Sequence, residues 1–125
     1  MFLPKTENNI IKNACVIKNK DVKVSDFLSV LQEGFNKHGI ECSLVGQADK
    51  KECPYTVTYT AERSWDIKYY LSHAEIKVYK LDKLIGHVTY HLPGGAWSMD
   101  IANKFKGTRS KMFPLIDELL FNIHN

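Results

Sequence analysis

Between Cys53 and Leu92 the chain reads CPYTVTYTAERSWDIKYYLSHAEIKVYKLDKLIGHVTYHL, where apolar and polar residues alternate over long stretches. Tyr55, Val57, Tyr59 and Ala61 occupy odd positions, with Thr56, Thr58, Thr60 and Glu62 between them. A side-chain period of two belongs to a strand with one dry face and one wet face. Three such strands in succession, joined by links of hairpin length, commit the chain to an antiparallel sheet whose apolar face something else must cover.

Two amphipathic segments supply that cover. In the first, Phe27, Val30, Leu31, Phe35 and His38 fall mostly three and four apart, on one helical stripe. Ser25 suits the N-cap, Asp26 the positive end of the helix dipole and Gly39 the C-terminal stop. Gly34 lies beside the stripe and is expected to let the helix approach the sheet. The second helix is expected to start near Ser110, because Pro114 belongs in a first turn. Its stripe is Met112, Leu115, Ile116, Leu119, Leu120 and Ile123.

Residues 10–18 predict a first strand and ECSLVG a second. LPGGAWSMDIANKFKG is loop-like, with AWSMDI as a short edge strand. The order β-α-β-β-β-β-α predicts an α+β two-layer sandwich, a mostly antiparallel sheet with two helices on one face. Residues 1–9 read as a flexible lead-in and 10–125 as a single domain, long enough to bury a core without metal or disulfide staples.

A composition of 44% hydrophobic and 25% charged residues is that of an ordered globular chain. The net charge of +3, with acidic residues scattered among the basic ones, argues against a nucleic-acid partner. No stretch approaches the roughly 20 apolar residues of a membrane span, and MFLPKTENN is not a signal peptide. Cys15, Cys42 and Cys53 include no CxxC pair and no zinc spacing, so no structural metal is expected. Cys42 and Cys53 flank a short polar connection, where a disulfide would close a hairpin. The alternative is three small, partly buried apolar residues.

Parity aligns the hairpin of strands 72–80 and 84–92. Ala74, Ile76, Val78, Val88, Tyr90 and Leu92 are all even-numbered, and a one-residue slip would put a whole set into water. A three-residue loop, Leu81–Asp82–Lys83, then sets His73 opposite His91 on the wet face, with Glu75 two residues along. Two imidazoles and a carboxylate are a candidate divalent-metal site, against the plainer reading of an ordinary solvated face.

Two other clusters stand out. Arg63, Trp65 and Asp66 end the third strand. They are either an exposed binding anchor or, the preferred reading, a core-closing Trp65 with Asp66 bonding turn amides. Lys104, Lys106, Arg109 and Lys111 surround the start of the last helix, where free N–H groups and cations suit an anion or an acidic partner. Gly94–Gly95 is a flexible loop and no phosphate loop. No GxSxG, Cys/His or HExxH signature supports catalysis, so an enzyme is not expected and no cofactor is implied.

Tyr59–Asp66, Tyr70–Leu71, Ala74–Glu75, Leu84–Gly86, Gly94–Gly95 and Pro114–Leu120 occur in an order that resembles a family of small, largely uncharacterised proteobacterial lipoproteins. The resemblance covers about the last two thirds of the chain. It implies export to the periplasm, with membrane attachment only through an acylated N-terminal cysteine, and brings no catalytic residues. The chain as read carries neither signal peptide nor lipobox cysteine, and on that reading alone it would be cytoplasmic. Three function classes follow. The first is a non-enzymatic envelope protein that binds another protein, the second an immunity protein neutralising a secreted toxin, the third a His-based metal binder or hydrolase.

Overall fold

The computed structural model describes residues 11–46, 53–66, 68–92 and 106–124. Its elements are β1 (Asn13–Ile17), α1 (Phe27–Asn36), β2 (Glu41–Val45), β3 (Tyr55–Asp66), β4 (Lys68–Lys80), β5 (Lys83–His91) and α2 (Thr108–His124). This is the expected α+β order. The five strands lie β2-β1-β3-β4-β5. β1 runs parallel to both β2 and β3, while β3–β4 and β4–β5 are antiparallel. The expected lead-in at 1–9, Gly94–Gly95 and the AWSMDI strand lie outside the described residues.

The β4–β5 register is the one parity requires: His73 faces His91, Ala74 faces Tyr90 and Ile76 faces Val88. The turn, however, has two residues rather than the expected three. Leu81 and Asp82 both take positive φ, 53° and 83°, the conformation whose twist suits a tight hairpin. A two-residue turn by itself pairs odd with even, as Tyr79 with Leu84. A shift after Val78, which faces Gly86, leaves Ile85 over and restores the pairing of like faces.

A second shift lies between Glu62 and Arg63, which face His73 and Leu71, so Ser72 is the residue left over. It turns Leu71 into the core in place of Ser72. Val16, Val57, Ala74, Ile76 and Val78 from the sheet then meet Phe27, Leu31 and Phe35 of α1 and Met112, Ile116 and Leu120 of α2, all buried in one cluster.

The helices differ from expectation in three details. Asp26, not Ser25, precedes the first turn, and its carboxylate makes no cap bond within its own helix. Instead Thr108 Oγ1 donates to Asp26 Oδ1 at 2.8 Å, joining the N-terminal ends of the two helices. Gly34 admits the other helix rather than the sheet: a Cβ there would lie 2.8 Å from Ile116 Cδ1. α2 starts at Thr108, two residues early, so Pro114 falls in its second turn on an exposed face.

The disulfide also differs. Cys15 bonds Cys53 with Cα atoms 6.1 Å apart, and Cys42 is free. β2 and β3 are not neighbours, because β1 lies between them, so Cys42 and Cys53 do not face each other across a hairpin. Cys15 points to the wet face beside the entry to β3. Cys42 packs against the core, where burial pushes its thiol up to about 11.

Two outcomes follow from this packing. Reducing the Cys15–Cys53 bond, which spans a separation of 38 residues, is expected to lower stability by roughly 4 kcal/mol on the chain-entropy account, read as a fall in the urea midpoint. Gly86→Ala is expected to cost about 1–3 kcal/mol by overpacking, because its Cβ would lie 2.6 Å from Ile123 Cδ1 and 2.9 Å from Leu119 Cδ1. Gly34→Ala, meeting only Ile116 and gaining roughly 1 kcal/mol of helix propensity, should cost less in the same assay.

Candidate functional site

β3 and β4 are the longest strands, 12 and 13 residues, and their hairpin runs past the helix layer. Arg63, Tyr69 and Leu71 line a cleft of about 300 Å³ against Ser25, Lys106 and Thr108, at the N-terminal ends of both helices. Two residues further out, Trp65 faces Tyr69 and clears that cover. Trp65 is 64% exposed and Tyr69 55%. Their rings meet edge to face, with centroids 4.9 Å apart and planes at 68°. The Arg63 guanidinium lies 3.8 Å from the Tyr69 ring centre.

This corrects the preference for Trp65 as a core-closing residue. Alternation does carry Tyr59, Ala61, Arg63 and Trp65 along one face, but the helices end before that face does. Asp66 is placed by its backbone alone, opposite Lys68 at the hairpin end; its side chain lies outside the described residues.

The cations at the start of α2 do not act as one cluster. Lys106 is exposed and shares the cleft with Arg63. Arg109 pairs with Glu33 of α1. Lys111 turns inward: it is 7% exposed, and its Nζ donates to the Leu71 carbonyl at 2.9 Å. The same amine lies 5.5 Å from the Tyr70 ring centre and 5.7 Å from that of Tyr90. Burial lowers Lys111 from its ordinary 10.5 to about 8. Lys104 lies outside the described residues. The helix start therefore spends two of its cations on internal contacts, which removes the four-cation anion site expected from sequence.

The wet face of the sheet does bring the histidines together. His73 Nδ1 and His91 Nδ1 are 3.2 Å apart, and Glu75 Oε2 lies 3.6 Å from His73 Nε2, on the other side of that ring. His87 Nε2 is 4.0 Å from Glu75 Oε1 and 3.2 Å from Thr89 Oγ1. Among the described residues, no three His, Cys, Asp or Glu side chains converge as a metal cage. A depression of about 360 Å³ beside the His pair is lined by Glu62, Ser64 and Ser72 as well as both imidazoles. Ser64 Oγ donates to Ser72 Oγ at 2.9 Å, and Ser72 Oγ to the Glu62 carbonyl at 3.3 Å.

Sequence reasoning missed Tyr69, Ser72 and the inward turn of Lys111. Tyr69 becomes the partner of Trp65 only through the shift at Ser72, which no periodicity announces. His87 was visible at the right parity, two residues from Thr89.

No protein-family model matches the chain, and no curated protein matches it. Among solved structures it is similar to PelC from Paraburkholderia phytofirmans, crystallised as a dodecamer in two space groups. A point variant in space group C2 matches with a TM-score of 0.51 and 11% identity, over 93% of this chain and 90% of that one. The P6 crystal gives a TM-score of 0.51 and 10% identity, over 90% and 88%. At such identity the likeness is one of fold.

The buried amine gives a pH signature. Unfolded, Lys111 keeps its proton to about 10.5; folded, only to about 8. Between those values the unfolded chain binds more protons, so Lys111 makes stability rise with pH. Tyr90, raised above its ordinary 10.0 by burial, gives the opposite slope beyond pH 10. Urea midpoints of the wild type relative to Lys111→Met should therefore climb between pH 8 and 10, and a constant difference would remove the effect.

Proposed function

We propose that the chain is a non-enzymatic accessory protein of the cell envelope that acts by binding protein, and that its partner at the Arg63–Trp65–Tyr69 tip is a second copy of itself. The exposed, pre-assembled triad carries this reading. Trp, Tyr and Arg are the residue types that dominate interface energetics. Here a ring–ring contact and a cation over a ring hold all three before any partner arrives. Side chains already held in place lose less freedom on docking.

Several further observations support the reading. PelC, with a similar fold, is a dodecamer in its crystals, which supports self-association as a use for an exposed, pre-assembled patch. The Cys15–Cys53 disulfide suits an oxidising compartment such as the periplasm, in keeping with the lipoprotein resemblance. Among the described residues no helix is long and apolar enough to cross a membrane; a lipid anchor is what the lipoprotein resemblance implies for attachment.

Light scattering on purified, oxidised protein tests it. The wild type is expected to give a multiple of the monomer mass, and Trp65→Ala to weaken assembly by about 2 kcal/mol or more, some thirtyfold, as for a hot-spot residue. Tyr69→Ala should act in the same direction while circular dichroism stays unchanged. A wild type that remains monomeric at its highest soluble concentration overturns self-assembly. Cross-linking from position 65 in whole cells then reports whether a different envelope protein occupies the tip.

A further inference from the structure

We infer that the wet face of the sheet carries a binding site for a divalent transition-metal ion of the zinc and copper class, with the Nδ1 atoms of His73 and His91 as its two protein anchors. This site is separate from the hairpin tip and does not depend on the tip's function.

The bite of the pair is the first argument. Two nitrogens bound to one zinc ion at about 2.0–2.1 Å, at a tetrahedral angle, lie about 3.3–3.4 Å apart. The two Nδ1 atoms are 3.2 Å apart. The rings are inclined at 70°, with centroids 5.4 Å apart, so they meet by their edges and are not stacked. Directly opposed strand positions bring the two rings together, and His73–His91 is the outermost pair of a continuous β4–β5 run that extends to Val78–Gly86.

Protonation is the second argument. Glu75 Oε2 lies 3.6 Å from His73 Nε2. A carboxylate there favours the tautomer with its proton on Nε2, which leaves His73 Nδ1 as an acceptor. In that tautomer the hydrogen between the rings belongs to His91 Nδ1. When the ion binds beside the pair, His91 moves its proton from Nδ1 to Nε2 through water, so both neutral imidazoles present a lone pair and no net proton is released. A carboxylate on the far nitrogen of a ligating histidine orients such ligands and raises their basicity.

Charge is the third. Glu62 lies next to His73 across the sheet and lines the same depression, and Glu75 adds a second negative group, so the surroundings favour a cation. The pair alone makes a two-nitrogen clasp. Water completes the shell.

The test uses tag-free, oxidised protein and zinc chloride, followed by calorimetry and by the imidazole NMR resonances of all five histidines. The expected result is one zinc ion per chain, with the His73 and His91 resonances moving most. His73→Ala and His91→Ala should each abolish measurable binding, Glu75→Gln should weaken it by about tenfold as an outer-shell change, and His87→Ala should leave it intact. Zinc additions that produce no heat and no movement of the His73 and His91 resonances in the wild type overturn the site. So does binding that survives in the His73→Ala, His91→Ala double variant.

Discussion

Side-chain parity across β3, β4 and β5 is the constraint on which the rest of the molecule depends. Val57, Val78 and Gly86 form one row, Tyr59, Ile76 and Val88 the next, and Ala61, Ala74 and Tyr90 a third. Each row turns its side chains toward the helices. Burying a single large apolar side chain is worth about 1.5–3 kcal/mol, so a slip that inverted one of these strands would cost a large share of the roughly 5–15 kcal/mol that holds a typical domain folded. The two register shifts protect these rows. One reconciles them with a two-residue turn, and the other keeps Leu71 rather than Ser72 in the core as the hairpin extends outward.

The helix layer uses up much of the charge that a sequence reader would count as available. Asp26 is engaged by Thr108, Glu33 by Arg109 and Asp117 by His38, whose Nε2 lies 2.8 Å from the carboxylate. These contacts fasten α1 to α2 at both ends and leave Gly34 and Ile116 in close approach between them. Among the described residues the hairpin tip and the wet sheet face stay open to outside partners, two surfaces with different chemistry. The tip is aromatic and cationic, the face rich in imidazole and threonine.

Much of this was legible in the chain, and the boundary is physical. Alternation in Tyr55–Glu62 and matching parity in Ala74–Val78 and Val88–Leu92 were enough to pair His73 with His91. The helical stripes likewise placed Phe27, Leu31, Phe35, Ile116 and Leu120. What escaped depends on neighbours distant in sequence. Cys15 meets Cys53 only because β1 inserts between β2 and β3, an order that local pattern does not encode. Trp65 is exposed because the helices stop short, and the alternation around it is identical with or without a roof. Lys111 reads as one more surface cation, yet a carbonyl at the Ser72 shift draws it inward.

The Cys15–Cys53 bond has a topological effect beyond stability. It turns the stretch holding α1 and β2 into a covalently closed ring, which also takes in the last three residues of β1, paired in parallel with β2. A protease that cuts the backbone within that ring leaves both fragments tethered, so the edge strand stays beside its neighbour. The bond thus acts as a built-in splint for the half of the sheet farthest from the hairpins.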